Sequence, residues 1–136
     1  MKYIYLKLLM AYSFFTIIGC AQPISNELHI NFRNSQMCIY TDNENTYLSK
    51  DNSYLIFVNE VTESEPFKAI YSKDYVNTQF PIRLNQCLKV PVSNLEFNKI
   101  YEVNIETNKN FSQRFCLKRK NNETELHIIN DARTQC

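Results

Sequence analysis

The sequence predicts an all-β sandwich of seven to eight short antiparallel strands, behind a leader that is removed by cleavage. Three observations point there. Short runs of alternating apolar and polar residues recur at hairpin spacing from Leu28 to Asn130. The same span holds no stretch with the helical period of about 3.6 residues. It also carries four cysteines, Cys38, Cys87, Cys116 and Cys136, an even number that fits two disulfides in an exported chain.

The leader is the segment MKYIYLKLLMAYSFFTIIGC. Lys2 and Lys7 make a basic start, Leu8 to Ile18 is apolar, and a small residue, Gly19, stands before Cys20. This is the build of a secretory signal peptide. Its apolar run falls short of the roughly 20 residues that span a bilayer. The ending Ile17-Ile18-Gly19-Cys20 resembles the lipobox of bacterial lipoproteins. That resemblance implies a diacylglyceryl group on the Cys20 thiol and cleavage before it. It also implies a lipid anchor in the periplasm, and Ala21 in place of Asp points to the outer membrane. The expected organisation is a signal peptide over residues 1–19, a lipidated tether over 20–26 and one sandwich domain over 27–136.

Taken in order, Leu28, Ile30 and Phe32 alternate with His29, Asn31 and Arg33 as a half-buried strand. Asn34-Ser35 reads as a turn and Met37–Thr41 as the second strand, with Asp42–Asn52 a polar loop. Tyr54–Val58 is aromatic and β-branched, the pattern of a central strand. An acidic break, Glu60–Glu65, precedes a shorter strand over Pro66–Tyr71, and Ser72–Phe80 has no clear period. Residues 82–92 read as a strand interrupted near Asn85. Thr107–Asn110 reads as a tight turn using an Asn in the left-handed region. Strands follow at Phe111–Lys118 and Glu125–Asn130, with a turn between them.

Tyr101, Val103 and Ile105 open another alternating strand, and Leu95 stands six residues before Tyr101. This spacing resembles the corner between two strands of immunoglobulin and fibronectin type III domains. The resemblance implies an immunoglobulin-like sandwich in which the Tyr101 hydroxyl bonds back to the preceding loop.

Strand phase bears on the disulfides. Cys38 is out of phase with Met37 and Ile39, and Cys87 with Leu88 and Val90. In an immunoglobulin-like order they occupy neighbouring strands of one sheet, so the expected pairs are Cys38–Cys87 and Cys116–Cys136. The competing pairing, Cys38–Cys116 with Cys87–Cys136, turns the first pair toward the core.

Composition narrows the chemistry. The only glycine is Gly19, so the domain has no glycine-dependent phosphate loop, dinucleotide turn or nucleophile elbow. The chain carries 15 basic and 14 acidic side chains, and the leader takes two of the basic ones. A near-neutral, mixed-sign surface argues against nucleic acid. His29 and His127 lie on strands and far apart in sequence, which reads as surface histidine and not as a catalytic pair. Asp42 and Glu44 lack the glycine of a calcium loop, and Glu60, Glu63 and Glu65 read as a solvated loop. No enzyme, cofactor or metal is expected. Two glycosylation sequons, at Asn110 and Asn122, have little force behind a lipobox.

The pattern as a whole resembles a family of small periplasmic lipoproteins that act as type VI secretion immunity proteins. The residues that carry it are the lipobox, Met37-Cys38-Ile39 in an early strand and Gln86-Cys87-Leu88-Lys89-Val90-Pro91 in mid-chain. The strand opened by Tyr101 follows. Cys116 and Cys136 are additional to the family pattern. The resemblance implies binding and neutralisation of a cognate toxin effector, with no turnover. Two other classes compete: a lysozyme inhibitor, disfavoured by the missing glycine loop, and a structural or accessory lipoprotein of an envelope or surface assembly.

Overall fold

The computed structural model describes residues 25–46, 51–63, 67–130 and 136. The signal peptide, Cys20 and most of the tether lie outside the described residues. Among the described residues nine strands are formed: β1 (Asn26–Glu27), β2 (His29–Arg33), β3 (Gln36–Tyr40), β4 (Tyr54–Glu60), β5 (Ala69–Tyr75), β6 (Leu88–Val90), β7 (Ile100–Glu106), β8 (Asn110–Lys120) and β9 (Glu123–Ile129). They make two sheets. The smaller has the order β2-β3-β6; the larger runs β1-β8-β7-β4-β5, with β9 also paired to β8.

The two sheets pack face to face as a β-sandwich. Met37, Ile39 and Val90 from the smaller sheet meet Ile56, Val58, Val103, Ile105, Phe111 and Phe115 from the larger. Pairing explains why these residues share a layer. Ile56 lies opposite Ile105, which lies opposite Phe111, so one apolar row crosses three strands. Alternation puts the next residues on the outer face.

Four sequence expectations need correction. The strands number nine and are not all antiparallel, because β1 pairs with β8 in parallel at Asn26↔Phe111. Asn26, assigned to the tether, is therefore already in the sheet. The chain then crosses to the smaller sheet at Leu28, which is buried and donates its N–H to the Ser112 carbonyl.

The strand after the acidic break runs to Tyr75, further than its pattern showed. Its inner phase is Tyr71, Lys73 and Tyr75, set opposite Val58, Ile56 and Tyr54. A lysine on the inner phase of an edge strand breaks the apolar period. It also discourages pairing with another chain. Lys73 escapes burial by lying over the Tyr75 ring, 4.8 Å from its centroid. A bulge beside Val58 leaves Ile70 unpaired, and Ile70 packs on the core.

The interruption expected near Asn85 is present, and residues 82–92 pair as a strand only beyond it. Leu84–Gln86 form a single 3-10 turn, and only Leu88–Val90 pair with β3. The Gln86 side-chain oxygen accepts from the Arg83 N–H and closes the turn.

The turn after β7 uses no left-handed asparagine. The Thr107 hydroxyl accepts from the Lys109 N–H and shapes it instead. Elsewhere, left-handed residues abound. The β2–β3 hairpin turns on Asn34 and Ser35 at φ 51° and 57°, and the β8–β9 hairpin on Asn121 and Asn122 at φ 51° and 65°. Two-residue loops of this type need positive φ at both positions, and asparagine stands in for the missing glycine.

Candidate functional site

Both disulfides are formed by the described cysteines. Cys38 bonds Cys87 with Cα atoms 5.4 Å apart, and Cys116 bonds Cys136 at 5.8 Å. Cys38 lies in β3, and Cys87 directly follows the 3-10 turn and leads into β6, so the first bond crosses the outer face of the smaller sheet diagonally. Cys116 sits on the outer phase of β8 and is only 1% exposed.

The corner residues come together where the chain passes from β6 to β7, that is, from one sheet to the other. Leu95 is buried against the core, and the Tyr101 ring is buried beside Phe115, with centroids 5.9 Å apart. The Tyr101 hydroxyl lies within reach of the loop backbone at Glu96. Burial pushes its pKa above the ordinary tyrosine value.

The histidines are not brought together. His29 stacks on Tyr40 across β2–β3, with ring centroids 5.2 Å apart. His127 is on β9, 3.4 Å from Glu125. Glu44 of the polar loop is paired with Arg83, and Glu60 with Lys99 at 3.2 Å. Among the described residues no three His, Cys, Asp or Glu side chains are grouped as metal ligands, and no helix is long and apolar enough to cross a membrane.

The feature that sequence reading missed is the outer face of the larger sheet. Leu55 and Phe57 of β4 point outward there, and Phe67 lies edge-on against Phe57 at 5.4 Å. Phe67 is 67% exposed. Beside this apolar patch runs a polar row. The Asn104 amide donates to Asn59 Oδ1 at 3.2 Å, and Arg114 Nε donates to Glu102 Oε2 at 2.9 Å. Near one end of the same sheet the exposed Phe97 is covered by the Arg119 guanidinium, 4.9 Å from the ring centroid. Out-of-phase apolar residues Leu55 and Phe57 were the available signal. In a strand read as central they passed for a second buried face.

The class that this fold and surface define is a two-disulfide β-sandwich with an exposed aromatic patch on the larger sheet. No protein-family model, curated protein or solved structure matches the chain.

Proposed function

We propose that the chain is a non-enzymatic periplasmic lipoprotein that binds and neutralises a type VI secretion toxin. The observation that carries this reading is the outer face of the larger sheet, with Leu55, Phe57 and Phe67 beside the Asn59–Asn104 and Glu102–Arg114 pairs. An apolar centre with aromatic anchors and a hydrogen-bonded polar border is the make-up of a protein-recognition surface. Pairing of β4 with both β5 and β7 holds that surface in one backbone arrangement, which lowers the ordering cost of binding. The lipobox and the family resemblance supply the compartment and the toxin partner. The strand order, β2-β3-β6 facing β5-β4-β7-β8, supports an immunoglobulin-like arrangement.

The test is co-expression with each periplasm-directed candidate toxin encoded by a neighbouring gene. Cells should survive with the unaltered chain and die with the Phe57→Glu/Phe67→Glu variant, and the purified pair should bind stoichiometrically. Absence of protection and of binding would overturn the reading. Co-purification with subunits of an envelope assembly instead would establish the accessory role.

A further inference from the structure

We infer that the Cys38–Cys87 bond is a thiol–disulfide exchange site, opened by a dithiol protein, whereas Cys116–Cys136 is a permanent staple. Cys38 and Cys87 are both half-buried and both line a surface hollow of about 250 Å³ on the outer face of the smaller sheet. The rest of its wall is Arg33, Lys89, Leu84 and two amide side chains, so it holds two cations and no acid. Arg33 and Lys89 are exposed, and neither forms an ion pair with another described residue. Lys89 is the direct cross-strand partner of Cys38. That pairing sets their Cβ atoms roughly 5 Å apart on one face.

The geometry assigns each sulfur a part. An incoming thiolate attacks Cys87 Sγ, the disulfide breaks, and its electron pair leaves on Cys38 Sγ. The departing thiolate forms beside the Lys89 ammonium, which lowers its pKa and speeds its departure. The second thiol of the dithiol, once deprotonated, attacks its own sulfur in the mixed disulfide and expels Cys87 as a thiolate. Two protons end on Cys38 and Cys87, and the partner carries away the new disulfide. The hollow's positive charge also favours the approach of the anionic attacking group. Leu84, 46% exposed on the wall, gives an incoming protein an apolar foothold.

The second disulfide lacks these features. Cys116 Sγ is sealed from attack, its residue being 1% exposed. Attack at Cys136 would expel a thiolate at buried Cys116, where desolvation raises the thiol pKa and slows departure. Opening the first bond also leaves the domain folded. Three cross-strand pairs still join β3 to β6, and Met37, Ile39 and Val90 stay buried.

The experiment exposes the purified protein to glutathione, an anionic thiol, or to cysteamine, a cationic one. Samples are quenched with iodoacetamide at intervals and mapped by peptide. With glutathione, iodoacetamide label at Cys38, with Cys87 carried as its glutathione mixed disulfide, should appear about tenfold faster than label at Cys116 or Cys136. The glutathione-to-cysteamine rate ratio at Cys38–Cys87 should fall about tenfold when Lys89→Glu is combined with Arg33→Glu. Should that variant misfold by circular dichroism, the unaltered chain reads the same effect, because its ratio should shrink severalfold in about 1 M salt. Equal opening of the two disulfides would overturn the assignment. So would a ratio that neither the substitutions nor salt can change.

Discussion

The backbone N–H of Glu96 donates to the Tyr101 hydroxyl at 2.8 Å, five residues further along the chain. The bond closes the crossing between the sheets against the first residues of β7. Tyr101→Phe keeps the ring and removes the acceptor, leaving a part-buried N–H without its partner. Stability should fall by about 1–3 kcal/mol in a urea melt. An unchanged midpoint would mean that the packed ring alone holds the corner.

Alkali should unfold the domain through Tyr54. Its hydroxyl donates to the Gln79 carbonyl at 3.1 Å, and its ring stacks on Tyr75. Burial first, and the neighbouring Tyr75 second, push its pKa from 10.0 up to about 12. A folded-state pKa raised above the unfolded one means stability is intact below pH 10 and is lost as pH rises through about 12. Tyr54→Phe should flatten the decline of the urea midpoint across that window; an equally steep decline would place the titrating group elsewhere.

The two disulfides should differ in what their removal costs. Cys38–Cys87 closes a separation of 49 residues and Cys116–Cys136 one of 20. In the chain-entropy picture these are worth about 4 and about 3 kcal/mol. Paired Cys→Ala variants, melted thermally, should therefore rank with the longer loop as the costlier loss.

Ser35 occupies a left-handed position at φ 57° with neither glycine's freedom nor asparagine's tolerance. Ser35→Gly should raise stability by about 1 kcal/mol, after the greater entropy of the unfolded chain is counted. A loss in the denaturant melt would show that the hairpin needs its serine for something other than backbone geometry.

Cys20→Ser should leave the chain without lipid and move it from the membrane fraction to the soluble fraction. Retention on membranes with undiminished lipid labelling would rule out the lipobox.

What the sequence displayed and what it concealed follow from how each strand is buried. Tyr54–Val58 was legible because β4 is flanked by two strands and buries every second residue completely. Ser72–Tyr75 was not, because Lys73 interrupts the inner phase of an edge strand. The two residues of β1 are too few for any period to register. Around Asn85 the interruption was legible in the apolar phase, but not that it takes the form of a 3-10 turn and leaves only Leu88–Val90 paired. On the candidate surface, Leu55 and Phe57 merged into the continuous apolar run Tyr54–Val58, so their outward phase went unread. Only the third dimension brings Phe67 onto Phe57, across a sequence gap that no pattern spans.

The parallel pairing of β1 with β8 sets the direction in which the domain is presented. The amino-terminal end of β1 lies at the end of the sandwich where β8 begins, at Asn26↔Phe111. From Phe111, β8 climbs nine residues to Lys120, a rise of roughly 30 Å. A surface that held the chain by its amino-terminal side would lie beneath the β7–β8 turn. The β8–β9 hairpin, with Arg119 over Phe97, would stand at the opposite pole. Seen from a distance the protein would be a short post, and the first part of it that an arriving macromolecule meets would be that aromatic and basic tip.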